Sequence, residues 1–125
     1  MQERGVILAI DDESDILENL DIRLSSSGYK VLKATDGTQG IAIAREDHPD
    51  LIILDIMMPG IDGFETLKIL KGDGLTKSIP VVVVSSGNPD VEWAARSMEL
   101  GSSGYIVKPF DGKDLLRVIE RIVRS

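Results

Sequence analysis

The segment Val6-Ile7-Leu8-Ala9-Ile10, followed at once by Asp11 and Asp12, decides the fold. A continuous aliphatic run is typical of a strand that is covered on both faces in a parallel sheet. A second such run, Leu51-Ile52-Ile53-Leu54, is followed by Asp55. If the two strands are neighbours in one parallel sheet, the three acids converge at the same edge. Because like charges repel, such a cluster favours a hard cation, Mg²⁺ first, with Mn²⁺ or Ca²⁺ as substitutes.

The composition predicts a single domain, residues 1–125, that is soluble and cytoplasmic. The chain has 125 residues, of which 42% are hydrophobic, and no cysteine. This length suits one hydrophobic core, and the lack of cysteine excludes disulfides and thiolate metal sites. No apolar stretch approaches the roughly 20 residues of a membrane span. The start, Met1-Gln2-Glu3-Arg4, lacks the apolar middle region of a signal peptide.

The charge argues against two classes of partner. The formal net charge is -7, and none of the 14 Lys and Arg residues form a run. Nucleic-acid phosphates need a basic face, so we expect no direct contact with nucleic acid. The sequence also lacks a long basic amphipathic segment, so we expect no binding to a membrane surface.

Short apolar runs alternate with helical patterns five times along the chain. The strand candidates are Val6–Ile10, Tyr29–Ala34, Leu51–Leu54, Val81–Val84 and Tyr105–Val107. The second strand carries Lys30 and Lys33, which is typical of an edge. Ser14 or Asp15 is expected to cap the first helix, and Gly28 to stop it. The later helix signals are Asp36-Gly37, Asp62-Gly63, a cap at Asn88 with an end at Gly101, and the apolar stripe Leu115, Leu116, Ile119, Ile122 and Val123.

Five βα units predict an open, doubly wound α/β sheet, because they are too few for an eight-stranded barrel. Crossovers are right-handed and helices must cover both faces, so the first strand lies inside the sheet and the chain reverses direction once. Ligands bind at the carboxyl ends of the strands that flank such a reversal. If the reversal lies between the first and third strands, that place holds Asp11, Asp12 and Asp55.

Four separated motifs resemble the receiver domain of two-component response regulators. They are Asp11-Asp12, Asp55 within Leu54-Asp55-Ile56-Met57-Met58-Pro59-Gly60-Ile61-Asp62-Gly63, Ser85 after four valines, and Lys108-Pro109-Phe110. They stand in the family's order and span essentially the whole chain. The resemblance implies a (βα)₅ flavodoxin-like fold with strand order 2-1-3-4-5. It also implies a signalling switch that promotes its own phosphorylation and dephosphorylation, and not a conventional enzyme.

The resemblance implies roles for the acids and the lysine. Asp55 would accept a phosphoryl group, with Mg²⁺ present, from a histidine kinase or a histidine phosphotransfer protein. Asp12 and Asp55 would bind the ion directly and Asp11 through water, and the carbonyl of Met57 would add an oxygen. Lys108 would pair with Asp55 before phosphorylation and with a phosphoryl oxygen afterwards.

The resemblance also implies a switch. Ser85 would move toward the new phosphoryl oxygens, and Tyr105 would turn inward into the space that Ser85 leaves. The face formed by the fourth helix, fifth strand and fifth helix would then control an output partner. The protein would be a monomer or a phosphorylation-dependent dimer, and the bond before Pro109 would be cis.

Simpler interpretations stay open for each residue taken singly. Asp11 and Asp12 could be helix-capping acids, and Asp55 a solvated loop acid. Ser85 could merely end a strand, and Tyr105 could pack as in any edge strand. The three acids together with a lysine after the fifth strand favour the functional interpretation.

Two residues outside these motifs carry weaker signals. His48, the only histidine, precedes Pro49 and is expected at the surface. Trp93, the only tryptophan, could be buried by the fourth helix or could anchor a partner, and half-burial without a function is the default expectation.

Two other function classes are less consistent with the sequence. A magnesium-dependent phosphotransferase or hydrolase of small molecules needs a substrate cavity, and the loops after the first and third strands are short. A flavodoxin-like nucleotide binder needs Gly, Ser and backbone amides where this chain has acids. The chain ends at Ser125, soon after the last helical pattern. That end favours a stand-alone regulator, although a domain cut from a longer protein would look the same.

Overall fold

The computed structural model describes residues 4–56, 62–86, 91–108 and 110–123. Strands and helices alternate along these ranges. They are β1 (Gly5–Ile10), α1 (Ser14–Ser26), β2 (Tyr29–Ala34), α2 (Gly37–Asp47), β3 (Leu51–Asp55), α3 (Gly63–Gly72), β4 (Val81–Ser86), α4 (Val91–Glu99), β5 (Gly104–Lys108) and α5 (Gly112–Val123). None of the helices in these ranges is both long enough and apolar enough to cross a membrane.

The five strands form one parallel sheet in the order β2-β1-β3-β4-β5. This order confirms the predicted fold, and the lysine-bearing strand β2 lies at an edge as expected. The direction in which strands are added to the sheet reverses at β1, since β2 is added on one side of β1 and β3 on the other. The carboxyl ends of β1 and β3 therefore lie side by side.

Alternating residues of the strands build two apolar layers, one on each face of the sheet. On one face, Leu8 and Leu54 pack with Leu67 of α3 and Ala44 of α2. On the other face, the rows that contain Ile7, Ala9, Ile53 and Val84 pack with α1 and α5. The sheet is thus covered on both sides, which is why its central strands are continuously aliphatic.

Most of the predicted helix boundaries are confirmed. The side chains of Asp36 and Asp62 accept hydrogen bonds from the third residue after each, at 2.7 and 2.8 Å, and cap α2 and α3. Gly28 and Gly101 follow α1 and α4 with φ of 96° and 102°, a conformation that favours glycine. His48 is exposed, as expected. Asn88 lies outside the described residues.

The predicted cap of α1 is wrong. Glu13 occupies the capping position and makes no side-chain hydrogen bond to the helix, while Ser14 and Asp15 already lie inside the first turn. The physical reason lies two residues upstream of Glu13. The backbone N–H of Glu13 donates to the Oδ1 of Asp11 at 2.9 Å, so the acid before the helix fixes the chain's entry into α1.

The strands extend further than their apolar runs. β3 includes Asp55, which pairs with Val84, and β4 includes Ser85, which pairs with Val107. Lys108 is the last residue of β5. These side chains therefore project from the ordered sheet and not from loops, and the sheet fixes their relative positions.

The first turn of α3 lies directly against the end of β3. The N–H of Gly63 donates to the carbonyl of Ile56 at 3.2 Å. A Cβ at Gly63 would meet the Cα of Ile56 and lie 2.6 Å from the carbonyl oxygen of Asp55. Both contacts are with backbone, which cannot rotate away. Glycine is therefore required at residue 63.

We expect Gly63→Ala to lower the free energy of unfolding by about 3 kcal/mol, because the new methyl group overpacks against β3. Gly72→Ala is the matched control in the same helix, since a Cβ at Gly72 meets nothing within 4 Å. That change should be neutral or should stabilise by up to about 1 kcal/mol. Urea denaturation measures both values, and equal effects of the two substitutions would contradict the close contact.

Candidate functional site

Three carboxylates meet at the carboxyl ends of β1 and β3. Ligand oxygens of Asp11, Asp12 and Asp55 all lie within 4.8 Å of one another. Asp11 and Asp55 are each 3% exposed, whereas Asp12 is open to solvent. The structure thus brings together the three acids that the sequence places after two separate strands.

Strand alternation explains why these side chains converge. Asp11 follows Ile7 and Ala9 in the row that faces α1 and α5, and Asp55 follows Ile53 in the same row of β3. The N–H of Asp11 donates to the carbonyl of Ala34 at 3.0 Å, so β1 keeps its strand geometry one residue beyond its formal end. Residues two apart share a face, and the two acids therefore point the same way.

Lys108 reaches the cluster from β5. Its Nζ lies 2.9 Å from the Oδ2 of Asp11 and 3.5 Å from the Oδ2 of Asp55. The side chain of the lysine is 14% exposed. Burial by itself would lower the pKa of Lys108, but the hydrogen bond with Asp11 and the attraction of both acids outweigh it, and the pKa is raised. Lys108 is therefore a cation at every physiological pH.

Asp11 is held at both of its oxygens. Oδ1 accepts from the N–H of Glu13, and Oδ2 accepts from Lys108, both at 2.9 Å. We expected the lysine to pair with Asp55, and the shorter of its two contacts is with Asp11. The bond between Asp11 and Glu13 could have been predicted, because an aspartate two residues before the capping position of a helix often accepts from the backbone N–H there. Asp11 therefore positions Lys108 beside Asp55.

The residues present fit a divalent metal ion. Three carboxylates face a single ammonium group among the described residues of the cluster, so negative charge is in excess. Each donor is a hard oxygen, the ligand type that Mg²⁺, Mn²⁺ and Ca²⁺ prefer. Met57, predicted to add a carbonyl oxygen, lies outside the described residues, as does Pro109.

The two predicted switch residues lie on the opposite face of the sheet. Ser85 is 1% exposed and follows Val81 and Val83 in the row that faces α3. Tyr105 pairs with Val83 in the sheet and packs on that same side. The hydroxyl of Tyr105 is buried and has no hydrogen-bond partner among the described residues. The structure therefore places the two side chains on one face of adjacent strands.

A groove runs between α1 and the start of α5. It has a volume of about 960 Å³, and its wall includes Leu20, Arg23, Phe110, Leu116 and Lys108. Among the described residues, the wall includes the lysine of the site but none of its three carboxylates. The groove therefore gives no support to a hydrolase whose metal-binding acids would line a substrate cavity.

Comparison with known proteins reveals relatives over nearly the whole chain. A family model described as the response regulator receiver domain matches residues 7–120. Protein PilH of Pseudomonas aeruginosa is 35% identical over 119 residues, which cover 94% of this chain and 96% of that protein. The DNA-binding response regulator MtrA of Mycolicibacterium paratuberculosis is 35% identical over 123 residues, which cover 98% of this chain and 53% of that protein. The chain spans about half the length of several of the curated relatives that it matches.

Solved structures agree with these relatives. The chemotaxis protein CheY4 of Vibrio cholerae has a TM-score of 0.88 and 30% identity, over 98% of this chain and 99% of that one. A CheY-like receiver domain protein of Methanospirillum hungatei has a TM-score of 0.89 and 27% identity, over 99% of this chain and 95% of that one. The sheet order, the acid cluster and these matches agree, and the chain belongs to the receiver domain family of two-component response regulators.

Proposed function

We propose that this receiver domain is the phosphorylation-activated switch of a two-component phosphorelay, with Asp55 as the phosphoacceptor. One observation carries the proposal. Asp55 is buried beside two further carboxylates, and the ammonium of Lys108 lies 3.5 Å from its Oδ2. A nucleophilic carboxylate, oxygen ligands for a metal and a mobile cation are the groups that phosphoryl transfer to an aspartate requires.

The donor is proposed to be a phosphohistidine of a kinase or a histidine phosphotransfer protein. A carboxylate oxygen of Asp55 attacks phosphorus, and the new O–P bond forms as the N–P bond of the donor breaks. The electron pair of that bond stays on the imidazole nitrogen. The product is an acyl phosphate, which water can later hydrolyse to inorganic phosphate and the free carboxylate.

Asp12 and Asp55 are proposed to hold Mg²⁺ directly, with Asp11 acting through water and the carbonyl of Met57 as a further ligand. When bound, the ion offsets negative charge on the nucleophile and on the transferred group. Mn²⁺ has the same preference for oxygen and should substitute. The exposure of Asp12 supports this assignment, because an ion can reach the buried acids from that side.

Lys108 is proposed to respond to the new charge on Asp55. A lysine is a compact cation on a flexible stem, so its Nζ can move from Asp11 toward a phosphoryl oxygen. Phosphorylation adds about -1.5 to -2 charges, which makes the acyl phosphate the stronger partner. The hydrogen bond with Asp11 keeps the ammonium close enough for this exchange.

Ser85 and Tyr105 are proposed to carry the signal to the face formed by α4, β5 and α5. Ser85 would move toward the phosphoryl oxygens, and Tyr105 would change its position in response. The hydroxyl of Tyr105 is buried and has no hydrogen-bond partner among the described residues, and a buried hydroxyl without a partner costs about 1–3 kcal/mol, which supports a role in which the side chain changes its position. If the active form is about 1% populated beforehand, phosphorylation must favour it by several kcal/mol.

The output is proposed to be a protein partner on this face, recognised by a monomer or by a dimer that forms on phosphorylation. MtrA and RpaA of Synechocystis are named as DNA-binding regulators, and this chain matches about half the length of each. The net charge of -7 argues against direct DNA contact by these 125 residues. We therefore propose that any contact with DNA is made by another chain or segment.

Asp55→Asn is expected to abolish incorporation of radiolabel from acetyl phosphate in the presence of Mg²⁺, because the amide is not a nucleophile. Asp36→Asn is the matched control, since asparagine keeps an oxygen that can cap α2. The control should be labelled like the wild type. Full labelling of Asp55→Asn would show that Asp55 is not the acceptor.

Asp12→Ala is expected to weaken Mg²⁺ binding at least about tenfold, since a direct oxygen ligand is lost. Asp15→Ala, which removes another exposed acid at the start of α1, should leave the affinity unchanged. Isothermal titration calorimetry with MgCl₂ measures both dissociation constants. If the two variants bind the ion equally well, Asp12 is not a ligand.

Lys108→Ala is expected to accept label but to lose the shape change, because the ammonium joins the phosphoryl group to the rest of the site. Hydrogen exchange of the α4, β5 and α5 amides, with and without acetyl phosphate, reports that change. Lys68→Ala, an exposed lysine on α3, is the control and should respond as the wild type does. A normal response of Lys108→Ala would show that the lysine does not transmit the signal.

A further inference from the structure

Three side chains connect α3 to α4, and we call them the aromatic clamp. The rings of Phe64 and Trp93 meet edge to face, with centroids 6.0 Å apart and an interplanar angle of 82°. The guanidinium carbon of Arg96 lies 4.3 Å from the centroid of the Phe64 ring. Edge-to-face pairs and cations over ring faces are both attractive. Phe64 therefore holds α4 at two residues that are one helical turn apart.

Phe64 is itself fixed to the backbone that carries Asp55. Its neighbour Gly63 donates to the carbonyl of Ile56, and a Cβ there would lie 2.6 Å from the Asp55 carbonyl oxygen. In the first turn of α3 the carbonyl of Asp62 accepts from both the N–H and the hydroxyl of Thr66 at 2.9 Å. Because Gly63 lies directly against this backbone, a displacement of Asp55 would also move the neighbouring ring of Phe64.

This connection differs from the one through Ser85 and Tyr105. That route crosses the sheet from β4 to β5, whereas the clamp leaves the sheet at the end of β3 and enters α4 through α3. Tyr105 and Trp93 pack against the same apolar cluster, so the two connections share one core. Packed elements of this kind pass small shifts on because cores are not freely deformable.

We propose that Phe64 is a second coupling residue, which ties the position of α4 to the chemical state of Asp55 through its contacts with Trp93 and Arg96. The inference rests on the proposed function, since Asp55 must be the group that changes. Trp93, expected from the sequence to have no role, becomes both a part of the coupling and its natural reporter. Because coupling is reciprocal, a change at Phe64 should also alter how readily Asp55 is modified.

The test uses beryllofluoride with Mg²⁺, a stable mimic of the phosphoryl group. Occupancy of the site is followed by fluorine NMR. Two signals then report α4, namely the emission of Trp93 and hydrogen exchange of the α4 amides. In the wild type both should change on addition of the probe. In Phe64→Leu, which keeps an apolar side chain but loses the ring, both changes should shrink about threefold or more while the probe still binds.

Arg96→Met provides a second variant that does not disturb the core. It removes the cation and keeps an apolar stem, and it should weaken the α4 response in the same direction. Arg45→Met, at an exposed arginine that pairs with Asp73, is its matched control. Ile119→Val, a small loss of packing on the other face of the sheet, controls for general destabilisation of Phe64→Leu.

The outcomes separate this inference from the proposed function. If beryllofluoride does not bind the wild type, or binds Asp55→Asn equally well, both fail. If it binds and α4 responds fully in Phe64→Leu and in Arg96→Met, Asp55 remains the acceptor and the clamp is ordinary packing. A wild type that binds the probe with no change at α4 also overturns the role of the clamp.

Discussion

The structure depends on the electrostatic balance between a buried pair of carboxylates and one lysine. Asp11 and Asp55 are almost wholly removed from water, and such charges are costly unless they are compensated. Lys108 provides that compensation with contacts of 2.9 and 3.5 Å. The balance is incomplete, since Asp12 adds a further negative charge, and this excess makes the site receptive to a divalent ion.

The sheet is what makes this arrangement possible. Asp11, Asp55 and Lys108 lie at the ends of the rows of β1, β3 and β5 that face α1 and α5. Because the strands are parallel, their carboxyl ends lie at one edge of the sheet. Close packing of Gly63 against β3 then joins the same edge to α3. The proposed switch depends on this geometry, because Asp55 lies in a strand that pairs with β1 and β4 and that packs against the first turn of α3.

Much of this was predictable from the residues. Continuous aliphatic runs predicted buried parallel strands, and the acids at their ends predicted the cluster. The family resemblance supplied the strand order. Asp36 and Asp62 were predicted as helix starts because a short side chain that can accept a hydrogen bond is a local property. The edge position of β2 followed from Lys30 and Lys33 in the same way.

The features that sequence reasoning missed are set by rotamers and by packing between distant elements. Glu13, and not Ser14 or Asp15, occupies the capping position of α1 without a side-chain hydrogen bond, because Asp11 already fixes the entry of the chain. Whether a lysine lies nearer to one acid or another depends on differences of less than an ångström. The clamp could not be foreseen, since no pattern relates Phe64 to Arg96 until α3 and α4 are packed.

The most direct test of this account is a crystal structure of the protein soaked in MnCl₂, with the ion located by its anomalous scattering. The account predicts one strong peak at bonding distance from carboxylate oxygens of Asp12 and Asp55, with Lys108 still beside the cluster. A structure without a peak there, or with the three carboxylates turned away from one another, would contradict it.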